Sequence, residues 1–234
     1  MDAAENSVIA LFPLHTVLFP GGPLPLRIFE TRYTDMVRRC MREQRGFGVV
    51  LIEEGDEAGE VATTATVGCS ARIVDFYTLK DGLLGISCLG ERKFRVQRVW
   101  RANDGLNMGE IEWLPDEPAL PLPEDYAELR ETVRHALDDL TAQYAHVERK
   151  LDDAAWVGAR LTELLPIPLG DKQALLELDD PRTTRCDEAV LRGHEESVEQ
   201  DQDRNPDQLE EKCHALTSRA QVLGGFSSNS PAGV

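Results

Sequence analysis

Residues 12–33 read FPLHTVLFPGGPLPLRIFETRY, and this stretch decides the fold of the N-terminal region. It has few polar side chains, and Pro20, Pro23 and Pro25 restrict it to loops and edge strands. The FPGG sequence at residues 19–22 predicts a turn that leaves an aromatic side chain next to a rigid bend. Two interpretations remain open. The stretch is either the core of a first hairpin or an apolar edge that binds an extended peptide by strand addition or in a groove.

Short apolar or alternating segments surround this stretch and predict β-strands. Asp81-Gly82 adds a hairpin signal between two of them. Many short strands separated by turn residues are typical of a small barrel or sandwich. The segments are residues 8–12, 24–29, 47–52, 64–77, 83–89, 94–100 and 107–114.

One helix is expected within this strand-rich region. Tyr33, Met36, Val37 and Cys40 recur at helical spacing over residues 31–43. We expect Gly46 to end the helix.

A proline-rich segment at residues 115–125 separates two types of sequence. Before it, residues 1–114 predict the β domain; after it, residues 126–191 predict a helical subdomain. Apolar side chains stepping by three or four predict one long helix over residues 126–151. A second helix is expected to run through Trp156 and end before Pro166. A third is expected to begin with Asp171 as its N-cap and end at Pro181. The fold class predicted is therefore α+β, a strand domain followed by a small helical bundle.

The charge of the protein is unevenly distributed along the sequence. Residues 1–100 carry 13 acidic and 12 basic side chains, so nearly all of the net charge of −17 lies in residues 101–234. Such acidity argues against a nucleic acid or an anionic membrane as partner. Residues 192–234 are predicted to be an acidic, disordered tail. The acidic N-terminus and the lack of a long apolar run lead us to expect a cytoplasmic protein with reduced thiols at its five cysteines.

No motif of a known catalytic centre is found in the sequence. A phosphate-binding GxxxxGK[ST] loop is absent, because no lysine follows a glycine. The string nearest to GxSxG, at residues 85–90, is one residue too long. His194-Glu195 lacks the second histidine of HExxH. Cys69 and Cys88 are expected to be small core residues. We therefore expect no catalytic residue, cofactor or metal ligand.

Several segments resemble the N-terminal, substrate-binding domain of Lon proteases. That family carries a PLxxxVLFPG pattern followed by LxIFExRY, then VGTxAxI and GxxRFxV elements. Here Cys69 replaces the usual threonine of the third element. The matching segments are residues 13–21, 26–33, 47–51, 67–73, 90–96, 164–166 and 172–177.

The resemblance implies both a fold and a role. The fold is a β pseudobarrel akin to the PUA-like superfamily, with a helical bundle after it. The role is recognition of unfolded or flexible polypeptide segments, with a protease or chaperone as a further partner. We expect a non-catalytic module in protein quality control, since a length of 234 residues leaves no room for the ATPase and peptidase domains of full-length Lon.

This interpretation predicts two sets of residues. Two alternative functions also remain open. One rival is an adaptor that docks through its acidic helical region. The other is a PUA-like RNA binder that uses the basic side chains of the first helix, Arg38, Arg39, Arg42 and Arg45. The expected peptide-binding residues are Phe19, Pro20, Leu24, Ile28 and Tyr33. The expected structural residues of the motif are Gly21, Phe29, Glu30, Arg32 and Gly68.

Overall fold

The structure is a computed structural model that describes residues 6–55 and 63–178. The predicted tail at residues 192–234 lies outside the described residues. The strands are β1 (Asn6–Leu14), β2 (Pro23–Ile28), β3 (Phe47–Glu54), β4 (Thr63–Thr64), β5 (Val67–Thr78), β6 (Leu84–Arg101) and β7 (Asn107–Trp113). The helices are α1 (Thr31–Glu43), α2 (Ala127–Asp139), α3 (Ala154–Leu164) and α4 (Leu169–Glu177), and a 3-10 turn (Glu124–Tyr126) precedes α2.

The strands form one mostly antiparallel sheet whose pairing closes on itself. The order is β1-β7-β6-β5-β3-β4, and β2 pairs with β6 beside this path. β1 also pairs with β3 in parallel, with Leu11 opposite Gly48 and Leu14 opposite Leu51. The predicted hairpin at Asp81-Gly82 joins β5 to β6, and Gly82 adopts the positive φ of 83° that such a turn requires. The expected strand-rich N-terminal region is confirmed.

Helix α1 covers the residues that its sequence spacing predicted. Tyr33, Met36, Val37 and Cys40 are its buried side chains. The expectation that Gly46 ends the helix is wrong. Gln44 adopts the left-handed conformation with φ of 52°, and the next N–H, on Arg45, donates to the Cys40 carbonyl oxygen at 3.0 Å.

An apolar core lies between α1 and the sheet. The two ends of the opening stretch meet in it, because the rings of Phe12 and Tyr33 stack with centroids 3.9 Å apart and nearly parallel planes. Phe47 packs at an angle against Phe12. Cys69 and Cys88 are buried in the same core, as expected. Burial raises the pKa of each of these two thiols to about 12.

The long helix predicted over residues 126–151 is wrong. Helix α2 ends at Asp139, and the backbone then runs through successive turns. Thr141 Oγ1 donates to the Asp138 carbonyl oxygen at 2.5 Å. This side-chain bond competes with the backbone hydrogen bonds that would continue the helix. Tyr144 and Val147 are nevertheless buried, and they pack in one cluster with Trp156 of α3. Turns therefore bury the same side chains that a continuous helix was expected to bury.

The other two helices lie close to where the sequence placed them. Helix α3 ends at Leu164, before Pro166, as predicted. Helix α4 begins one turn earlier than predicted, because Pro168 is its N-cap and Asp171 lies in its first turn. Pro181, where we expected it to end, lies outside the described residues.

The proline-rich segment runs beside the start of α3. The Leu122 N–H donates to the Asp152 carbonyl oxygen, and the Ala154 N–H donates to that of Leu120. A shared apolar cluster joins the strands to the helices, with Phe19 on one side and Ala159 and Leu176 on the other. The segment thus connects two parts that pack against each other.

Candidate functional site

The turn between β1 and β2 is the first element of the candidate site. Gly21 has a φ of 73°, a value that favours glycine. Its N–H donates to the Gly90 carbonyl oxygen at 2.8 Å, and the Gly22 N–H donates to that of Phe19 at 3.0 Å. A β-carbon on Gly90 would collide with the Phe19 carbonyl oxygen, so the turn lies directly against β6.

Helix α3 places a fully buried arginine beneath this turn. The helix begins at an Asp153 N-cap whose carboxylate accepts from the Ala155 N–H at 3.1 Å. Its sequence is apolar up to Arg160, whose side chain is 0% exposed. Arg160 Nη2 donates to the Pro20 carbonyl oxygen at 3.1 Å, and the guanidinium lies 5.5 Å from the centre of the Trp156 ring.

Glu163 balances the charge of this buried arginine. Its Oε1 accepts from Arg160 Nη2 at 2.7 Å, and its Oε2 accepts from the Tyr144 hydroxyl at 3.3 Å. Lys172 of α4 donates to the Glu163 carbonyl oxygen at 2.9 Å. Burial raises the pKa of the Glu163 carboxyl, and the Arg160 charge opposes that rise. This network ties the turn, α3 and α4 together.

A cavity of about 340 Å³ opens beside this network, between the turn, β6 and the helices. Its volume lies within the usual range for ligand sites. Apolar side chains from both parts of the fold form its walls, and charged side chains from β6 and the proline-rich segment border it. The apolar side chains include those of Phe19, Pro20, Trp156, Ala159, Leu175 and Leu176.

Most of the charged side chains that line the cavity have a partner of opposite charge. Lys93 Nζ is the most buried of the cations, and it lies 2.7 Å from Glu117 Oε1 while it donates to the Leu178 carbonyl oxygen at 3.0 Å. Arg92 Nε lies 3.2 Å from an Asp116 carboxylate oxygen. The cavity therefore combines apolar walls with a rim that carries both signs of charge.

The five expected peptide-binding residues divide into two groups. Phe19 and Pro20 line the cavity, although only 3% of Phe19 is exposed. Leu24, Ile28 and Tyr33 are buried in the apolar core, away from the cavity lining. Peptide binding by these residues stays a prediction, and the structure brings two of the five to one opening.

Of the expected structural residues of the motif, Glu30, Arg32 and Gly68 make close contacts at α1 and within the sheet. Arg32 pairs with Glu30 at 2.8 Å and donates to the Gly105 carbonyl oxygen at 3.1 Å. A β-carbon on Gly68 would collide with the backbone of β3. Phe29 is 61% exposed, so its side chain is not part of the core.

The open edge of β2 is poorly suited to strand addition. The Gly90 N–H donates to the Gly22 carbonyl oxygen, and the β2–β6 register continues from there with Pro23 opposite Leu89. Because hydrogen-bonded pairs alternate along antiparallel strands, the backbone nitrogens of Pro23 and Pro25 face away from β6. Proline has no N–H, so this edge lacks two donors that an added strand needs. The cavity is the better candidate site.

Sequence reasoning missed the helical half of this site. Trp156, Arg160 and Glu163 match no motif, and their contacts with the turn span about 140 residues of sequence. One signal was present. Arg160 interrupts a run of small and apolar residues that begins at Ala154, and a lone arginine in such a run indicates a buried ion pair.

The remaining features that could form a binding site are weaker than the cavity. On α1, Arg38 pairs with Asp35, while Arg42 and Arg45 pair with Glu43, so this face carries less free positive charge than the sequence suggests. Residues 6–55 and 63–178 contain no group of three His, Cys, Asp or Glu side chains placed to hold a metal ion. None of the described helices is both long and apolar enough to cross a bilayer.

Known proteins match this chain over most of its length. The profile of the family described as ATP-dependent protease La (LON) substrate-binding domain matches residues 8–192. The Lon protease of Methylocella silvestris is 26% identical over 189 residues, which are 78% of this chain and 23% of that protein. The protein cereblon of Danio rerio is 32% identical over 125 residues, 52% of this chain and 28% of that protein. The chain thus spans about a quarter of the length of these relatives.

A solved structure agrees with the profile match. A Lon N-terminal domain protein from Xanthomonas campestris shares 39% identity with this chain and superposes with a TM-score of 0.62. The match covers 76% of this chain and 94% of that one. Its coverage and the profile match lead to the same conclusion: this chain belongs to the family of Lon substrate-binding domains.

Proposed function

We propose that this protein is a non-catalytic module that binds flexible or unfolded polypeptide segments in the cavity between the β1–β2 turn and helices α3 and α4. The observation that carries the proposal is the lining of this cavity. Apolar side chains from two parts of the fold converge there under a rim of paired charges. Membership of a substrate-binding family supports the same function.

The cavity suits one apolar side chain of a polypeptide and the backbone on either side of it. Trp156 and Leu176 supply apolar wall, and burial of a ligand's apolar surface against them provides the affinity. Lys150 is more than half exposed at the rim and can meet polar groups of the bound polypeptide. This mixture would accept many sequences, as a module that recognises unfolded polypeptides requires.

The fold and the partners complete the proposal. The closed pairing of β1, β7, β6, β5 and β3 supports a pseudobarrel of the PUA-like kind, with residues 115–125 as the connection to the helical subdomain. Of the motif residues, Phe19 and Pro20 would touch the bound polypeptide, while Leu24, Ile28 and Tyr33 would hold the turn in place from the core. We expect a cytoplasmic role in protein quality control, beside a protease or chaperone.

A titration with a reduced, unfolded model polypeptide tests the proposal. Leu175 lines the cavity and is partly buried, so Leu175→Asp places a charge in the apolar wall. Leu169, on the same helix, is 38% exposed and does not line the cavity. Leu169→Asp is therefore the matched control. Both variants are first compared with the wild type by thermal unfolding.

The expected result is saturable binding that Leu175→Asp weakens about tenfold or more and that Leu169→Asp leaves unchanged. Equal effects of the two substitutions would show that the polypeptide binds elsewhere than in the cavity. Absence of saturable binding by the wild-type protein would overturn the function itself.

A further inference from the structure

The charges of the side chains that line the cavity do not sum to zero. Four of these side chains are carboxylates and three are cations, so the lining carries one negative charge in excess. Partners outside the lining do not remove the excess, because the Arg72 that pairs with Glu91 is offset by the Glu148 that pairs with Lys150. The carboxylates are Glu91, Asp116, Glu117 and Asp153, and the cations are Arg92, Lys93 and Lys150.

Asp153 accounts for this excess, because its partners are uncharged. Its Oδ1 accepts from the Ala155 N–H at 3.1 Å and from the Leu120 N–H at 3.5 Å. Its Oδ2 is not buried and accepts no hydrogen bond from the residues that the structure describes. The neighbouring Asp152, in contrast, pairs with Arg130 at 3.2 Å. A carboxylate oxygen that lines the cavity therefore remains available to a bound molecule.

Two of the three cations in the lining are already engaged on more than one side. Lys93 is buried and contacts two acceptors. The Arg92 guanidinium lies 5.0 Å from the centre of the Trp113 ring and pairs with Asp116. In that pair the carboxylate is the more exposed member, at 77% against 46%. A ligand therefore meets the carboxylates of this rim more readily than these two cations.

The proline-rich segment adds negative charge at the same opening. Residues 115–125 contain four acidic side chains and no basic one. Two of the four, Asp116 and Glu117, line the cavity. The whole chain carries a net charge of −17. Because the charges of a protein sum into a field that a cleft concentrates, a cation is favoured over an anion near this opening.

We propose that the cavity selects polypeptide segments in which a lysine or arginine stands next to the apolar residue that it binds, with Asp153 Oδ2 as the acceptor for the added charge. The apolar walls hold the apolar side chain, and the cationic side chain lies at the rim. This inference rests on the proposed function and narrows its ligand to segments with a basic residue beside an apolar one. Hydrogen bonds from such cations to a carboxylate are charge-assisted.

Three short fluorescent peptides test the inference by anisotropy titration. They share one sequence with a central leucine, and both ends are blocked so that the termini carry no charge. The residues on either side of the leucine are lysine in the first peptide, glutamine in the second and glutamate in the third. The comparison is made with the wild-type protein at about 50 mM and about 500 mM salt, because screening weakens contacts between exposed charges.

Two substitutions locate the preference within the chain. Asp153→Asn removes the charge and keeps an N-cap oxygen for α3, since Asn and Asp cap helices about equally well. Asp152→Asn is the matched control. It removes the same charge one residue away, from a side chain that is almost fully exposed and does not line the cavity. Thermal unfolding of both variants checks that the fold is retained.

The wild-type protein is expected to bind the lysine peptide about fivefold more tightly than the glutamine peptide at the lower salt concentration, as an ion pair near the surface predicts. The glutamate peptide should bind more weakly than both. High salt should reduce the preference for lysine. Asp153→Asn should abolish most of it, whereas Asp152→Asn should retain it, because a loss of overall charge alone would affect the two variants equally.

Each contrary outcome has a distinct meaning. Equal affinities for the three peptides, or tightest binding of the glutamate peptide, would overturn the charge preference while the proposed function stands. A preference for lysine that the two substitutions reduce equally, or that neither reduces, would overturn the assignment to Asp153. If neither the peptides nor an unfolded polypeptide bind saturably, both proposals fail. The comparison of peptides on the wild-type protein needs no substitution, so it remains decisive even if a variant unfolds.

Discussion

The molecule has two buried regions, and they differ in the kind of contact that holds them together. Between α1 and the sheet the core is apolar, and Phe47 and Ile86 are 0% exposed within it. Between the β1–β2 turn and helices α3 and α4, the buried residues include Arg160 and Gln173, which bind backbone carbonyl oxygens. The first region is held by apolar packing. The second combines an apolar cluster with hydrogen bonds between elements distant in sequence.

This difference separates two tasks. Apolar packing is non-directional and tolerates exchange of similar residues, so the α1 core secures the strand arrangement. Hydrogen bonds are directional, so the Arg160 network fixes where the turn lies relative to α3. The candidate site lies at the directional interface. Its geometry therefore depends on a few polar contacts, while its stability depends on the apolar core.

The largest effect on the free energy of unfolding is expected from a substitution in the apolar core between α1 and the sheet. Phe47→Ala removes a fully buried ring from the α1 core and should lower the free energy of unfolding by about 4 kcal/mol. Urea denaturation measures this change. Val99→Ala, at a position 39% exposed, is the control and should change it by less than about 0.5 kcal/mol. Similar losses at both positions would contradict the assignment of the core.

A somewhat smaller effect is expected at the polar interface. Arg160→Met leaves the Glu163 carboxylate without its partner and should cost about 3 kcal/mol. Adding Glu163→Gln removes the unpaired charge and keeps an acceptor for Tyr144, so the double variant should recover part of that loss. Urea denaturation of the single and double variants gives the coupling. Strictly additive losses would show that the two side chains do not act as a pair.

The smallest effect is a pH dependence that Glu163 imposes. Since burial raises its pKa above the ordinary value of 4.5, the folded state binds this proton more tightly than the unfolded state does. The contribution of Glu163 to stability is therefore complete below that ordinary pKa and is lost as pH rises through the raised one. As the pH falls from about 8 to about 5, the wild type should gain stability relative to Glu163→Gln. Urea titrations at both pH values test this, and a gap independent of pH would argue against it.

Local sequence was sufficient for the apolar side of the molecule. The spacing of Tyr33, Met36 and Val37 predicted α1, and Asp81-Gly82 predicted the hairpin, because these features depend on neighbours in sequence. The end of α1 was missed, since Gln44 can adopt a left-handed conformation that glycine usually supplies.

Local sequence was insufficient where contacts are distant. Apolar spacing predicted one helix through Tyr144 and Val147, but turns bury the same side chains. Spacing alone therefore did not distinguish a helix from successive turns. Of the motif residues expected to bind peptide, Phe19 and Pro20 border the cavity described above, and the sequence could not show which residues would do so. That depends on Trp156, which reaches the turn only once α3 has packed against it.

The two prolines on the open edge of β2 also affect how copies of this protein behave towards each other. An unprotected edge strand can template pairing with another molecule, and concentrated protein can then aggregate through intermolecular sheets. Pro23 and Pro25 remove two donors from that edge, and the charged side chain of Arg27 stands next to them, 61% exposed. We therefore expect the segment that carries the family pattern also to disfavour edge-to-edge association of the sheet.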